Sequence, residues 1–175
     1  MRRVLVIGPG GAGKTTFARA LAERTGLPLI HLDTLFWSAG WTPTPNEEWD
    51  RTIAQLIARN SWIMDGNYGR TLPMRLGACD TVIFLDTPRL LSLWRVLQRS
   101  VRYRGRSRPD LPAGCPEVLT WEFVWWIWTY KKRRRPDILR QMAALPARTR
   151  AIVLHSSREV RDFLDRLKEL RKLDD

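Results

Sequence analysis

The sequence predicts an α/β fold in which a five-stranded parallel sheet lies between two layers of helices. Three observations carry that expectation. Short apolar runs alternate with stretches of helical spacing. A glycine-rich turn, Gly8 to Thr15, joins one such run to one such helix. The runs Thr81 to Leu85 and Arg150 to Leu154 do not alternate, as expected of strands covered on both faces. The length, 175 residues, suits a single domain. With 44% hydrophobic residues, a chain of this size builds its core without disulfides or structural metal.

Arg2 to Ile7 is the first strand, rich in β-branched residues. Lys14 to Arg24 follows as a helix with Phe17, Ala18, Leu21 and Ala22 on one face and Gly26 as its stop. Leu27 to Leu32 predicts a second strand, and Asn46 to Arg59 a helix capped by Asn46 with Glu47 and Glu48 in its first turn. Ser61 to Met64 is the third strand, Thr81 to Leu85 the fourth and Arg150 to Leu154 the fifth, before a last helix from Ser157 to Leu173. Right-handed crossovers between such strands bring ligands to their carboxyl ends. Thr87 to Thr149 has no strand signal but carries seven arginines between Arg89 and Arg108, which predicts a helical insertion or lid within one domain spanning 1–175.

Thirty Lys and Arg against eighteen Asp and Glu give a net charge of +12, so a negatively charged partner or substrate is expected, phosphates or nucleic acid first. Cys79 and Cys115 stand far apart, which excludes a disulfide framework and a four-cysteine zinc site and predicts buried thiols. The apolar run after Met-Arg-Arg stops at Gly8, too short for an export signal. Val118 to Tyr130 is too short to span a bilayer. A cytoplasmic setting without a membrane partner is the expectation.

Gly8-Pro9-Gly10-Gly11-Ala12-Gly13-Lys14-Thr15 matches the phosphate-binding pattern G-x-x-x-x-G-K-[ST], with the required strand before it and helix after it. Its glycines allow successive backbone N–H groups to point at phosphate oxygens, and the helix N-terminus adds positive potential. Gly8, Gly10, Gly11, Ala12, Gly13, Lys14, Thr15 and Thr16 are therefore the expected nucleotide-binding residues, Lys14 reaching the β- and γ-phosphates and Thr15 binding Mg²⁺. The fold class becomes a three-layer P-loop NTPase fold with ATP and Mg²⁺ as cofactors. No N-K-x-D motif of Ras-type GTPases occurs, and motors and large ATPase modules need more chain. A small kinase fits.

Beyond the loop, His31-Leu32-Asp33 with Phe36-Trp37 and Trp41, Trp62 to Tyr68, Val82 to Asp86, and Trp126 to Tyr130 carry a closer resemblance. On these segments, which cover most of the chain, the sequence resembles the adenylate kinase-like and shikimate kinase-like phosphotransferases, and within them the FlaR-type DNA topology modulation proteins. Asp65 and Asp86 each end an apolar strand and are by pattern equal candidates to hold Mg²⁺. The resemblance decides for Asp65, because adenylate kinases have Asp-Gly-Phe-Pro-Arg-Thr where this chain has Asp65 to Thr71 with one extra residue. The same match implies that Arg70 binds an acceptor phosphate. Asp33, after the second strand, is placed to orient or deprotonate an attacking hydroxyl, and shikimate-type kinases are similar in placing an acidic ligand there. His31 is expected to be structural.

Phosphoryl transfer needs cations that close over the phosphates. Arg95, Arg99, Arg102 and Arg106 recur at helical spacing, and Leu97 to Arg106 resembles the adenylate kinase segment in which an arginine packs on the base. Arg99 is the chosen residue, with Arg102 and Arg106 behind it. Lys131 to Arg135 is either a second set of lid cations or a nucleic-acid patch. Trp121, Trp125 and Trp128 read as one packed stripe rather than a stacking platform. Trp37, Trp41 and Trp49 read as core, with stacking on a planar substrate as the alternative. The function expected is transfer of the γ-phosphoryl group of ATP to a small acceptor. The alternatives are a nucleotide-regulated nucleic-acid-binding protein, for which no recognition element is visible, and a nucleotide-binding module without turnover.

Overall fold

The structure, a computed structural model, describes residues 1–105 and 111–174. Its elements are β1 (Arg3–Ile7), α1 (Lys14–Thr25), β2 (Leu29–His31), α2 (Leu32–Phe36), β3 (Trp37–Ser38), β4 (Thr42–Pro43), α3 (Asn46–Ile57) and β5 (Trp62–Asp65). They continue as α4 (Leu72–Ala78), β6 (Thr81–Leu85), α5 (Arg89–Arg102), α6 (Trp121–Arg133), α7 (Arg135–Ala143), β7 (Arg150–Leu154) and α8 (Ser157–Asp174). Five strands form one parallel sheet in the order β2-β5-β1-β6-β7, while β3 and β4 pair as a separate antiparallel hairpin.

Alternation along the strands sorts the core into two layers. Val4, Val6, Ile63 and Ile83 meet Phe17, Ala18 and Leu21 of α1 and Leu164 of α8. Leu5, Ile7, Met64 and Phe84 meet Trp49 and Ile53 of α3, Leu72 and Leu76 of α4, and Ile138 and Met142 of α7. After their first residues, Arg3 and Thr81, the central strands β1 and β6 are apolar because helices cover both faces.

Several boundaries differ from the expectation. The second strand stops at His31 because the chain turns into α2, whose first turn is fixed by the Thr34 hydroxyl donating to the His31 carbonyl at 2.7 Å. Asn46 does not cap α3. Pro45 holds that position and its carbonyl accepts the first helical bond from the Trp49 N–H at 2.9 Å. Gly26 does end α1, at φ 69° with its N–H on the Ala22 carbonyl. The stretch between β6 and β7 contains α5, α6 and α7.

Candidate nucleotide and acceptor site

β1 ends at Ile7, and the chain then curls over the carboxyl edge of the sheet. The side chain of Asn67 replaces a strand partner at the start of the curl. The Gly8 N–H donates to its Oδ1 at 3.0 Å, and its Nδ2 donates to the Gly8 carbonyl at 2.6 Å. Gly11 has φ 76°, and a Cβ on it would lie 2.2 Å from the Ser92 carbonyl oxygen of α5, so only glycine fits. Gly10 has an ordinary backbone, but a Cβ there would lie 2.7 Å from the Phe123 ring of α6. The insertion therefore packs directly on the loop. Gly13 and Ala12 complete the curl, and Lys14 Nζ donates to the Pro9 carbonyl at 3.0 Å. Thr16 stands exposed in the first turn of α1.

Asp65 and Asp86 are distinguished by geometry. The Thr15 hydroxyl donates to Asp65 Oδ2 at 2.8 Å, and His31 Nδ1 lies 3.2 Å from the same oxygen. Asp65 Oδ1 is buried and has no hydrogen-bond partner. A buried carboxylate oxygen left unpaired is costly. Together with the Thr15 hydroxyl it forms the hard oxygen donor set that Mg²⁺ takes, so these residues fit the ion that a P-loop fold implies. Asp86 is occupied differently, with Arg135 Nε donating at 2.8 Å and His155 Nδ1 lying 3.2 Å from the same oxygen.

On the other side of β5, the Tyr68 hydroxyl donates to Asp33 Oδ1 at 2.5 Å. Burial, and then the Asp33 charge, push the Tyr68 hydroxyl far above the usual tyrosine pKa, so it stays a donor. Tyr68 sits at φ 34° with its ring 4.7 Å from Phe36 and 4.9 Å from Trp49. Arg75, fully buried on α4, fixes this turn by donating to the carbonyls of Gly66 and Tyr68, each at 2.9 Å, and of Asn67. Burial lowers its pKa from the ordinary arginine value. Sequence reasoning missed Arg75; its signal was the spacing with Leu72 and Leu76, which puts it on the buried face of a helix. Arg70 is exposed and donates to both oxygens of Asp50 on α3. Trp49 is 1% exposed and belongs to the core, out of reach of a substrate.

The insertion's arginines divide. Arg95 donates to the Ala12 carbonyl at 3.2 Å and to the Ser157 hydroxyl at 2.9 Å, bracing the phosphate loop. Arg99 Nε pairs with buried Glu117 at 2.7 Å, and its guanidinium lies 5.9 Å from the Phe123 ring centre. Arg102 lies over Tyr103, and Arg106 is outside the described residues. The basic run straddles the α6–α7 junction: Arg135 serves Asp86, while Arg134 reaches the turn after Tyr68, where a Cβ on Gly69 would lie 3.6 Å from its Nη1. The tryptophan stripe is a correction. Trp121, Trp125 and Trp128 are exposed, and α6 instead buries Ile127 and Tyr130, because both faces of this helix have apolar spacing. Finally, the β3–β4 hairpin is tied to the segment before α6. The Gly40 N–H donates to the Gly114 carbonyl at 2.8 Å, Trp41 Nε1 to the Pro116 carbonyl at 3.1 Å, and Cys115 Sγ to the Ser38 carbonyl.

Residues 4–42, less than a quarter of the chain, match the family described as ATPase family associated with various cellular activities (AAA). No curated protein matches. Among solved structures the chain is similar to a shikimate kinase from Acinetobacter baumannii in complex with shikimate, at 21% identity and a TM-score of 0.61, covering 99% of this chain and 94% of that one. A shikimate kinase from Bacteroides thetaiotaomicron is similar at 16% identity and a TM-score of 0.57, covering 98% of each chain. A sugar kinase from Janibacter sp. is similar at 22% identity and a TM-score of 0.51, covering 98% of this chain and 92% of that one. With the sheet order and the loop geometry, these likenesses show that the chain has the P-loop NTPase fold.

Proposed function

We propose that the protein is an ATP-dependent phosphotransferase that moves the γ-phosphoryl group to a hydroxyl of a small acceptor. The observation that carries this reading is the pairing of Thr15 with Asp65 beside the phosphate loop, with Asp65 Oδ1 left unpaired, while Asp33 stands on the acceptor side of the same strand edge. The loop amides from Gly8 to Thr16 bind the phosphates, and Lys14 leaves the Pro9 carbonyl for the β- and γ-oxygens. Thr15 and Asp65 hold Mg²⁺, which when bound neutralises charge on the phosphate oxygens. Asp33, oriented by Tyr68, accepts the proton of the attacking hydroxyl as its oxygen bonds to the γ-phosphorus and ADP leaves. An acceptor phosphate replaces Asp50 as the partner of Arg70, and Arg99 closes with the lid over the base. The kinases of similar fold support this class of reaction, and the resemblance of Trp62 to Tyr68 supports the FlaR-type family within it. The free thiols of Cys79 and Cys115 accord with a cytoplasmic setting.

The test is ADP formation from Mg-ATP across nucleotides, nucleosides, sugar acids and phosphorylated metabolites. One acceptor class should stimulate turnover, and Lys14→Ala should lower it by about 10²–10³-fold, with Asp33→Ala losing the acceptor-dependent part. Turnover unchanged in Lys14→Ala would overturn the proposal.

A further inference from the structure

Among the described residues eleven large hydrophobic side chains are exposed, and seven of them lie on α5 and α6. On α5 they are Leu90, Trp94, Leu97 and Val101, 46–79% exposed, at spacings of four, three and four. That is one stripe on the face away from buried Ser92 and Val96. On α6 they are Trp121, Trp125 and Trp128, 40–72% exposed, opposite the face that buries Ile127 and Tyr130. The two helices run antiparallel, since Arg89 at the start of α5 stacks 4.2 Å from the Trp128 ring centre and Arg99 near its end lies over Phe123. Apolar patches of this kind mark interaction sites.

The charge around the stripes selects the occupant. On the described helices Arg89 and Arg102 of α5 and Lys131, Lys132 and Arg133 of α6 are exposed, against Glu122 as the one acidic residue of the two. A second copy bound face to face would bring two such surfaces together. A nucleic acid would take the charge and stack on the tryptophans, but it has no use for Leu90, Leu97 and Val101. An anionic lipid surface takes all three features: aliphatic side chains enter the acyl boundary, tryptophans sit at headgroup level, and Lys131, Lys132, Arg133, Arg89 and Arg102 meet lipid phosphates. No described helix is long and apolar enough to cross a membrane, so the contact is peripheral. We infer that α5 and α6 dock the protein on an anionic membrane surface, in place of the expectation of no membrane partner. The inference stands independently of the proposed reaction.

The experiment is co-sedimentation of the full chain, at physiological salt, with phosphatidylcholine vesicles that contain or lack phosphatidylglycerol, with tryptophan emission recorded. Binding and a blue shift are expected only with phosphatidylglycerol. The Trp94→Gln, Trp121→Gln double variant should unfold at the wild-type temperature and bind the anionic vesicles roughly tenfold more weakly or worse. Three results would overturn the inference: no binding to either vesicle; equal binding by variant and wild type, which leaves charge alone; or a concentration-dependent dimer, or single-stranded DNA binding, that the double variant abolishes while vesicle binding is absent.

Discussion

Arg75 has no exposed surface and donates to the carbonyls of Gly66, Asn67 and Tyr68, so the turn that follows Asp65 is held by a charge inside the core. Removing that guanidinium leaves three carbonyls without it. Arg75→Met should therefore lose roughly 3 kcal/mol or more of stability in urea denaturation. Arg75→Lys should restore little of it, because an ammonium does not present a planar fork. Arg70, five positions earlier, pairs with Asp50 at the surface. Its replacement by Ala should leave the unfolding temperature unchanged and raise the KM for a phosphorylated acceptor. The sequence resemblance pointed to Arg70 because it lies in a recognisable loop. Arg75 was hidden in a helix whose other residues look like ordinary core.

Among the elements, the approach of α6 to the phosphate loop has a specific signature. Gly10 is glycine for lack of space, not for its backbone angle, and the space is filled by the end of the Phe123 ring. Gly10→Ala should destabilise the protein, and Phe123→Ala should relieve the clash. A double-mutant cycle by denaturant unfolding should give a coupling of about 1–2 kcal/mol, whereas additive losses would show that the two elements do not meet. The strands were legible because burial on both faces leaves no polar position in Val82 to Leu85, and the Gly26 stop because only a left-handed residue ends α1. The β3–β4 hairpin was not legible, since two-residue strands have no periodicity. Nor was the outward turn of the α6 tryptophans, since spacing defines a stripe without saying what lies against it. Asp65 and Asp86 had the same local pattern. The resemblance alone favoured Asp65 in the sequence, and in three dimensions Thr15 faces one and Arg135 the other.

For the whole molecule, the buried hydroxyls and thiol lower stability as the pH becomes alkaline. Burial raises the Cys79 thiol from 9.0 to about 11, and raises Tyr68 and Tyr130 above the ordinary tyrosine value. Below pH 9 all three are protonated in both states, so their stabilisation is fully present. As pH rises from 9 toward 11 the unfolded chain loses the Cys79 proton while the folded chain keeps it, and stability falls. The unfolding temperature should thus decline above pH 9, less steeply in Cys79→Ala, and a profile identical in the two proteins would contradict the burial of this thiol.

The bonds from Gly40 to Gly114 and from Trp41 to Pro116 join the hairpin that follows Asp33 to the segment leading into α6, which rests on Gly10. One wall cannot swing out without drawing or releasing the other. If the proposed reaction takes place there, nucleotide and acceptor should enter only as the tethered segments move together, and in transient kinetics both should associate with the same saturating rate constant, whichever is added first; two different limiting rates would show that the tethers do not couple them.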